Sequence, residues 1–329
     1  MKITILTEGE LRRVVRLDEE ALAAVADGFS RLARGQATMP PIMRVDIPEH
    51  NGEVDIKSAY LQGLDSFAVK MSAGFFDNRK LGLPSLSGMM ILLSTETGFP
   101  QAVLLDNGYL TDVRTALAGA LAARHLAPAS PATAGVIGSG VQARYQARAL
   151  QLVRDFERVL VYSRKAENVQ KYAEEMAPVL GVPVSPAAEA ETVVRESDVV
   201  ITTTPAREPI VKAAWLHPGL HITAMGSDAE AKQELEAAVL GRADVLACDT
   251  KAQAFRLGEL HHGLEAGVIA RDDAIIELGE LTAGGRAGRQ GAEQITICDL
   301  TGTGAQDTAI ARLAYEKARA AGLGLLIDA

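Results

Sequence analysis

The hydrophobic pattern divides the chain into two parts that differ in periodicity. In the first part, apolar and polar residues alternate in short segments between turns rich in proline, glycine and asparagine, which is typical of antiparallel strands. These predicted elements are strands Lys2–Leu6, Ile42–Ile47, Gly52–Tyr60, Ser66–Ser72, Gly88–Ser94 and Gln101–Asp106, and helices Glu8–Val15 and Glu19–Leu32, the latter capped by Asp18. We therefore expect an α+β unit built on a mostly antiparallel sheet.

From Thr133 onward, apolar strands alternate with helical segments. The strands are Ala134–Ile137, Arg158–Tyr162, Val182–Val184, Val199–Thr202, His221–Ala224, Val245–Cys248 and Gln294–Cys298, and the helices include Ala166–Leu180, Ala187–Arg195 and residues 305–321. This alternation predicts an α/β fold with a doubly wound parallel sheet. Because Pro128 and Pro131 end a preceding helix, Leu110–Leu126, we place the domains at 1–127 and 128–304.

A glycine-rich turn joins the first strand of the second part to its helix. In the segment 138–143, Gly138 would allow the tight turn, and Gly140 would let the backbone approach a pyrophosphate without a Cβ in the way. Ala143, in place of a third glycine, still permits close packing of helix and strand. The start of the helix offers free N–H groups and a positive dipole end to phosphates. The alternative is an ordinary βα turn, but the strand and helix on either side favour a dinucleotide site.

The end of the second strand bears on which dinucleotide would bind. An NAD site usually has an acidic side chain about 20 residues after the glycines. Here Ser163 stands at that point and Arg164 follows, and a guanidinium suits a 2′-phosphate. Alternatively, Arg164 is a solvated loop residue and Ser163 hydrogen-bonds the ribose of NAD. Both readings stay open on local chemistry.

Composition and charge exclude several classes of partner. A net charge of −9 argues against nucleic acid and anionic membranes. No apolar run approaches the roughly 20 residues of a membrane span, and the N-terminus lacks a signal-peptide pattern. Cys248 and Cys298 form no CxxC pair, so we expect a reduced, cytoplasmic setting. The adjacent His261 and His262 have no acidic or cysteine partner at a ligand spacing that we trust, so we expect no metal.

Three cations stand in otherwise apolar segments: Arg44, Lys70 and Arg114. Cations that are buried need anionic partners. A substrate carboxylate would supply one, and the alternative is that each cation pairs with a nearby aspartate or glutamate.

Several segments together resemble the ornithine cyclodeaminase/μ-crystallin family. They are residues 110–115 (LTDVRT), 138–143 (GSGVQA), 224–228 (AMGSD) with 232–235 (KQEL), and 298–302 (CDLTG). The resemblance implies a Rossmann domain, an α+β platform for substrate binding and dimerisation, and a C-terminal helix, within 305–329, that returns to the platform. It also implies an NAD(P)-dependent enzyme that acts on an amino or imino acid as a homodimer.

The resemblance also implies roles for individual residues. Asp228 would exchange a proton beside the substrate nitrogen, and a carboxylate also stabilises an iminium. Its alternative role is the N-cap of a helix near 232–240. Lys70 and Arg114 would be catalytic and would bind substrate together with Arg44 and Asp55. The cofactor would be held by Ser85, Arg114, Thr115, Gly138, Gly140, Val141, Gln142, Ser163, Arg164, Thr203, Met225, Gly226, Lys232 and Leu300.

Segments 39–55 and 74–85 resemble a subgroup often labelled ectoine-utilisation cyclodeaminase-like, which the iminosuccinate reductases of the β-hydroxyaspartate cycle also resemble. We expect reduction of iminosuccinate to L-aspartate, because three cations exceed what one α-carboxylate requires. Ornithine would need an acidic partner beyond Asp228. The resemblance implies NAD(H), with NADP(H) as the other option. A cyclodeaminase, another amino-acid dehydrogenase or ketimine reductase, and a non-catalytic cofactor-binding protein are the alternatives.

Overall fold

The computed structural model describes residues 2–328, without the side chain of Arg79. Within these residues the chain forms two compact units, which divide between Arg114 and Thr115 and again between Gly302 and Thr303. The first boundary between the two compact units therefore lies inside a helix. The prolines that end this helix, where the sequence placed the boundary, come later in the chain. In the described residues, no helix combines the length and the apolar character needed to cross a membrane.

The secondary structure follows the chain in order. The first unit begins with β1 (Lys2–Thr7), α1 (Glu8–Val14), α2 (Glu19–Ala33), β2 (Ala37–Thr38), β3 (Met43–Ile47), β4 (Gly52–Leu61), β5 (Ser66–Phe75), β6 (Leu86–Ser94) and β7 (Pro100–Leu105). Helix α3 (Tyr109–Leu126) follows, with residues 109–114 in the first unit and 115–126 in the second. The second unit contains β8 (Thr133–Ile137), α4 (Val141–Leu150), β9 (Arg158–Tyr162), α5 (Ala166–Leu180), β10 (Val184–Pro186), α6 (Ala190–Glu196), β11 (Val199–Thr202), β12 (His221–Ala224), α7 (Ala237–Leu240), β13 (Val245–Cys248), α8 (Lys251–Leu257), α9 (Glu259–Glu265), β14 (Ile276–Glu277), α10 (Leu278–Thr282) and β15 (Thr296–Asp299). The first unit resumes with α11 (Gly304–Ala320) and β16 (Leu325–Asp328).

The first unit is built on a mostly antiparallel sheet, as the alternating pattern predicts. The strand order is β16-β1-β7-β6-β5-β4-β2, with β3 also paired to β4, and among the described strands only β1 and β7 run parallel. Helix α11 lies against β4 and β5: the Thr308 hydroxyl donates to the Ala59 carbonyl at 2.8 Å and accepts the Ala68 N–H at 3.0 Å. A Cβ on Gly304 would collide with the Ser58 backbone, so glycine permits this close approach.

The two faces of this sheet differ in chemistry. Residues opposite each other on neighbouring strands share a face, and successive residues of a strand alternate between faces. The face that carries α11 has a set of polar residues, which we call the charged face: Arg44, Asp55, Lys57, Lys70 and Ser72. The opposite face, which we call the outer face, is apolar along the row Met43, Ile56, Met71 and Met89.

The second unit is a parallel sheet in the order β10-β9-β8-β11-β12-β15-β13-β14. The chain starts in the middle, at β8, and winds first to one side and then to the other. Its cores are aliphatic, with Val136, Val159 and Ile201 on one side and Ile222, Ile297 and Leu260 on the other. The predicted doubly wound α/β fold is confirmed. In such sheets, ligands bind at the carboxyl ends of the strands where the order reverses, here β8 and β11.

Some local predictions are wrong. The strand expected at 182–184 is Val184–Pro186, and the helix expected at 187–195 begins at Ala190. The helix expected near 232–240 is only the short α7, because residues 232–234 are irregular and Leu235 forms an isolated bridge with Val211. The sequence also gave no indication of α8 to α10 or of β16.

Candidate active site

The glycine-rich turn has the geometry that the sequence predicts. Gly138 has φ +122°, and a Cβ there would collide with the Thr203 hydroxyl, so only glycine fits. At Gly140, an added Cβ would meet no described protein atom within 4 Å, so protein packing does not explain this glycine. Gly140 is the N-cap of α4, and no side chain of the described residues caps that helix. The free N–H groups of residues such as Val141 fit a phosphate, as a dinucleotide requires.

The ends of three neighbouring strands meet at this turn. The Ser139 and Ser163 hydroxyls are 2.9 Å apart, which places the end of β9 beside the turn. The Thr203 N–H donates to the Ile137 carbonyl at 2.9 Å and joins the end of β11 to the end of β8. Arg164 is exposed. Ser163 and Thr203 are therefore brought together with the glycines, while the role of Arg164 stays a prediction.

Gln146, on α4, connects three predicted cofactor residues and was missed by sequence reasoning. It is 1% exposed, and its amide donates to the Thr115 carbonyl at 3.0 Å and to Gln142 at 3.4 Å, and also contacts the Met225 sulfur. A glutamine inside a helix has no distinctive local pattern, so only the fold shows that Gln146 links these residues.

Asp228 lies on a loop that a buried glutamate holds in place. Glu234 is fully buried and accepts hydrogen bonds from the Gly226 N–H at 2.7 Å, the Thr204 N–H at 2.6 Å and the Thr202 hydroxyl at 2.6 Å. Burial raises the pKa of Glu234, and these hydrogen bonds oppose the rise. Glu234 thus ties the Asp228 loop to the end of β11. It was also missed.

The Asp228 carboxylate forms an ion pair with Lys232 at 2.6 Å and keeps 43% of its side chain exposed. It does not cap a helix, because α7 begins only at Ala237 with Glu236 as its N-cap, so that alternative is wrong. Lys232, expected at the cofactor, here neutralises Asp228. Leu300 is buried and its N–H donates to the Ala224 carbonyl at 2.9 Å, at the ends of β15 and β12.

In the first unit, two of the predicted cations converge on one buried carboxylate. Lys70 Nζ and Arg114 Nε both lie 2.9 Å from Asp307 Oδ1, and Arg114 Nη1 donates to Gln306 at 2.7 Å. Lys70, Arg114 and Asp307 have exposed fractions of 4% or less. The partner is therefore neither substrate nor a neighbour in sequence, but an aspartate of α11 that sequence reasoning missed.

The charges of this cluster affect one another strongly. Burial, together with the charge of Arg114, lowers the pKa of Lys70 to about 7, although Asp307 opposes the fall. Burial alone would raise the pKa of Asp307, but the charges of Arg114 and Lys70 hold it below its usual value. Lys57, opposite Lys70 on β4, adds a third buried positive charge nearby. Two cations therefore share the Asp307 carboxylate, and the buried Asp106 carboxylate also interacts electrostatically with Lys70.

Several buried polar atoms around this cluster have no hydrogen-bond partner among the described residues. They are Asp55 Oδ1, Ser72 Oγ, Gln306 Nε2 and Asp307 Oδ2. Native proteins seldom leave such atoms unsatisfied, so each requires an explanation. A small ligand with oxygen and nitrogen atoms would supply the missing bonds.

Arg44 is the exception among the predicted cations. It hydrogen-bonds Asp46 at 2.9 Å, forms an ion pair with Glu53 and lies 3.7 Å from Asp55. In this structure Arg44 therefore pairs with nearby acidic residues, which was the alternative to binding a substrate carboxylate. Ser85 precedes β6, and its carbonyl accepts the Phe75 N–H at 2.8 Å.

The two adjacent histidines do have an acidic neighbour. Ligand atoms of His261, His262 and Glu265 lie within 4.8 Å of one another. The prediction that these histidines have no acidic partner at ligand spacing is therefore wrong. Glu265 lies four residues after His261, one turn along α9.

Comparison with known proteins covers nearly the whole chain. The model of the ornithine cyclodeaminase/mu-crystallin family matches residues 1–322. An uncharacterised cyclodeaminase of Sinorhizobium fredii is 52% identical over 325 residues, which span 98% of each chain.

Three solved structures share the fold at full length. The Δ1-pyrroline-2-carboxylate reductase of Thermococcus litoralis, in complex with NADH and L-proline, has a TM-score of 0.93 and 32% identity over 98% of this chain and 99% of its own. An archaeal alanine dehydrogenase dimer with bound NAD has a TM-score of 0.92 and 36% identity over 100% and 99%. The iminosuccinate reductase of Paracoccus denitrificans, in complex with NAD⁺, has a TM-score of 0.92 and 30% identity over 100% of both chains.

Proposed function

Because this chain belongs to the ornithine cyclodeaminase/mu-crystallin family, we propose that it is an NAD(H)-dependent imine reductase that converts iminosuccinate to L-aspartate. By enzyme class it is an NAD(P)-dependent oxidoreductase that acts on C=N or CH–NH₂ groups, as its structural neighbours are. The choice of iminosuccinate as the substrate goes beyond this class. The observation that carries it is the pair of buried cations, Lys70 and Arg114, that share the single carboxylate of Asp307.

The second unit would hold the cofactor at the carboxyl ends of β8 and β11. The N–H groups at Gly140 and Val141 would bind the pyrophosphate, Ser163 the adenosine ribose, and Met225 and Gly226 the nicotinamide end. When bound, NADH supplies the hydride that the imine carbon receives. Arg164 keeps NADP(H) as the alternative cofactor, and comparison of kcat/KM for NADH and NADPH decides between them.

The charged face would hold the substrate. Lys70 and Arg114 would bind carboxylate groups, and Lys57 adds positive charge beside them. Hydrogen bonds from Ser72 and Gln306 would complete the site, since both carry buried polar atoms without a partner among the described residues. A dicarboxylate would offer these cations a second anionic group, which a monocarboxylate lacks. Arg44 would bind a substrate carboxylate only if it released its present acidic partners.

Asp228 would move the proton. Reduction of a C=N bond places a hydride on carbon and a proton on nitrogen, and a positive charge develops on the nitrogen when it is protonated first. The Asp228 carboxylate would stabilise that charge and relay the proton, while Lys232 holds the carboxylate in one orientation at 2.6 Å.

The proposal is tested by NADH absorbance with oxaloacetate plus ammonia, which form the imine in solution. We expect NADH to be oxidised and L-aspartate to accumulate. Pyruvate plus ammonia and Δ1-pyrroline-2-carboxylate, which carry one carboxylate, should give much lower kcat/KM. Preference for either of these would contradict the dicarboxylate assignment while leaving the reductase class intact.

A cyclodeaminase is the second candidate, because the relative with 52% identity is called a cyclodeaminase. Incubation with NAD⁺ and ornithine, with ammonia and proline measured, separates the two. Proline without net NADH formation would favour the cyclodeaminase. Absence of turnover in both assays, with NADH still bound, would favour a non-catalytic cofactor-binding protein.

The outer face of the first sheet supports a homodimer. Met43 and Met89 are 54% and 36% exposed, and Ile56 and Met71 lie between them in the same row. Large exposed apolar surfaces mark interfaces, and a second copy of this chain offers an identical apolar face for closed twofold pairing. We therefore assign the outer face to dimerisation.

The variant Met89→Asp is expected to convert the dimer into monomers, because it places a charge within the apolar contact. Light scattering coupled to size-exclusion chromatography measures the mass. Phe99→Asp is the matched control, since Phe99 is 59% exposed but lies in the turn between β6 and β7. Dissociation by Phe99→Asp and not by Met89→Asp would place the interface elsewhere.

A further inference from the structure

One cluster in the second unit has no part in the proposed reaction. His261 and Glu265 lie one turn apart on α9, and His261 Nε2 is 3.5 Å from Glu265 Oε1. Two ligand atoms bound to one tetrahedral Zn²⁺ at about 2.0–2.1 Å lie roughly 3.3–3.4 Å apart. This pair is thus already close to the spacing of two ligands, and ligand atoms of all three residues lie within 4.8 Å.

The third residue is oriented by a backbone bond. His262 Nε2 is 2.8 Å from the Lys232 carbonyl oxygen. Because a carbonyl only accepts, Nε2 carries the proton, and Nδ1 keeps its lone pair for a metal. A histidine ligand commonly donates its other N–H to a backbone carbonyl in this way, which fixes the tautomer and the ring.

We infer that His261, His262 and Glu265 form a binding site for a divalent transition-metal ion, with Zn²⁺ as the representative and water as the remaining ligand. Two imidazoles and one carboxylate are the ligands that zinc accepts. The Glu265 side chain is 65% exposed and that of His261 23%, so an ion reaches the site from solvent.

The same site is connected to the Asp228 loop. Glu259, the first residue of α9, accepts the N–H groups of Glu234 at 2.7 Å and Leu235 at 3.2 Å. His262 contacts Lys232, which pairs with Asp228. A metal that fixes His262 therefore restrains the loop 227–235 through its backbone.

The site is tested on full-length, untagged, metal-free protein. Titration with Co²⁺ should give visible absorption bands that Zn²⁺ abolishes by displacement. His261→Asn and Glu265→Gln should each weaken metal binding by about tenfold or more, because each removes a ligand. Removing a ligand should cost at least as much affinity as removing a residue that only orients a ligand. His50→Asn, an exposed histidine of the first unit, should leave the affinity unchanged. Absence of displaceable bands, or equal affinity in all variants, would overturn the site.

The connection to the loop has its own measurement. Hydrogen exchange of the amides in 227–235 should slow when Zn²⁺ is added to the wild type and should not change in His261→Asn. Equal exchange with and without Zn²⁺ in the wild type, under conditions where the metal is bound, would overturn the restraint of the loop. Neither measurement depends on imine reduction.

Discussion

Asp228→Asn is expected to lower kcat by about 10²- to 10⁴-fold, the usual contribution of a positioned acid or base. Asparagine has nearly the same shape and keeps an oxygen that accepts the Lys232 ammonium, so the loop and its hydrogen bonds should persist. NADH affinity, measured by fluorescence titration, should therefore stay unchanged. The asparagine amide neither carries the negative charge nor takes up the proton.

The control for this variant is Asp272→Asn, which changes an exposed aspartate of the same unit. It should leave both kcat and NADH affinity at their wild-type values. If Asp228→Asn turned over at the wild-type rate, Asp228 would have no part in the reaction. If it lost NADH binding in parallel with kcat, the residue would act on the cofactor site instead.

Asp307→Asn is expected to lower the free energy of unfolding by about 3–5 kcal/mol at pH 6, as removal of one partner of a buried ion pair does. Lys70 and Arg114 would then face each other without the carboxylate that both contact at 2.9 Å. Asp27→Asn is the control, since Asp27 pairs with Arg31 at 2.6 Å on the surface. Exposed pairs contribute about 0–1 kcal/mol, so the control should lose little.

The pH dependence identifies the contribution of Lys70. Its pKa in the folded protein is about 7, below the ordinary value of 10.5. Between these values the unfolded chain binds a proton that the folded chain does not, so stability rises with pH from about 7 to 10.5. Urea unfolding at pH 6 and pH 9 should show this rise in the wild type and a smaller rise in Lys70→Met. At pH 9 the neutral lysine no longer repels Arg114 and Lys57, so the loss in Asp307→Asn should be smaller than at pH 6.

A loss in Asp307→Asn no larger than in Asp27→Asn would show that the cluster is hydrated and not buried. An equal loss at both pH values would show that Lys70 keeps its proton at pH 9. The first result would remove the physical basis for a substrate site built on buried cations, and the second would contradict the lowered pKa of Lys70.

The sequence by itself determined the features that depend on local patterns. Alternation with a period of two marked the strands of the first sheet, and the succession of strands and helices after Thr133 marked the parallel sheet. The dinucleotide turn was visible because Gly138 and Gly140 must stand at set positions to permit the backbone path, whatever the rest of the chain does. The site roles inferred from the motifs stay predictions.

Only the tertiary structure decided the partners of the charged residues. Asp307 lies 237 residues from Lys70 along the chain, in a helical segment whose pattern shows nothing unusual. Glu234 and Gln146 likewise gain their functions from strands and loops distant in sequence. A hydrophobic period follows from the repeating geometry of one element, whereas the partner of a buried charge follows from which elements pack together. The sequence therefore indicated that Lys70 and Arg114 need an anion, and the fold decided that Asp307 supplies it.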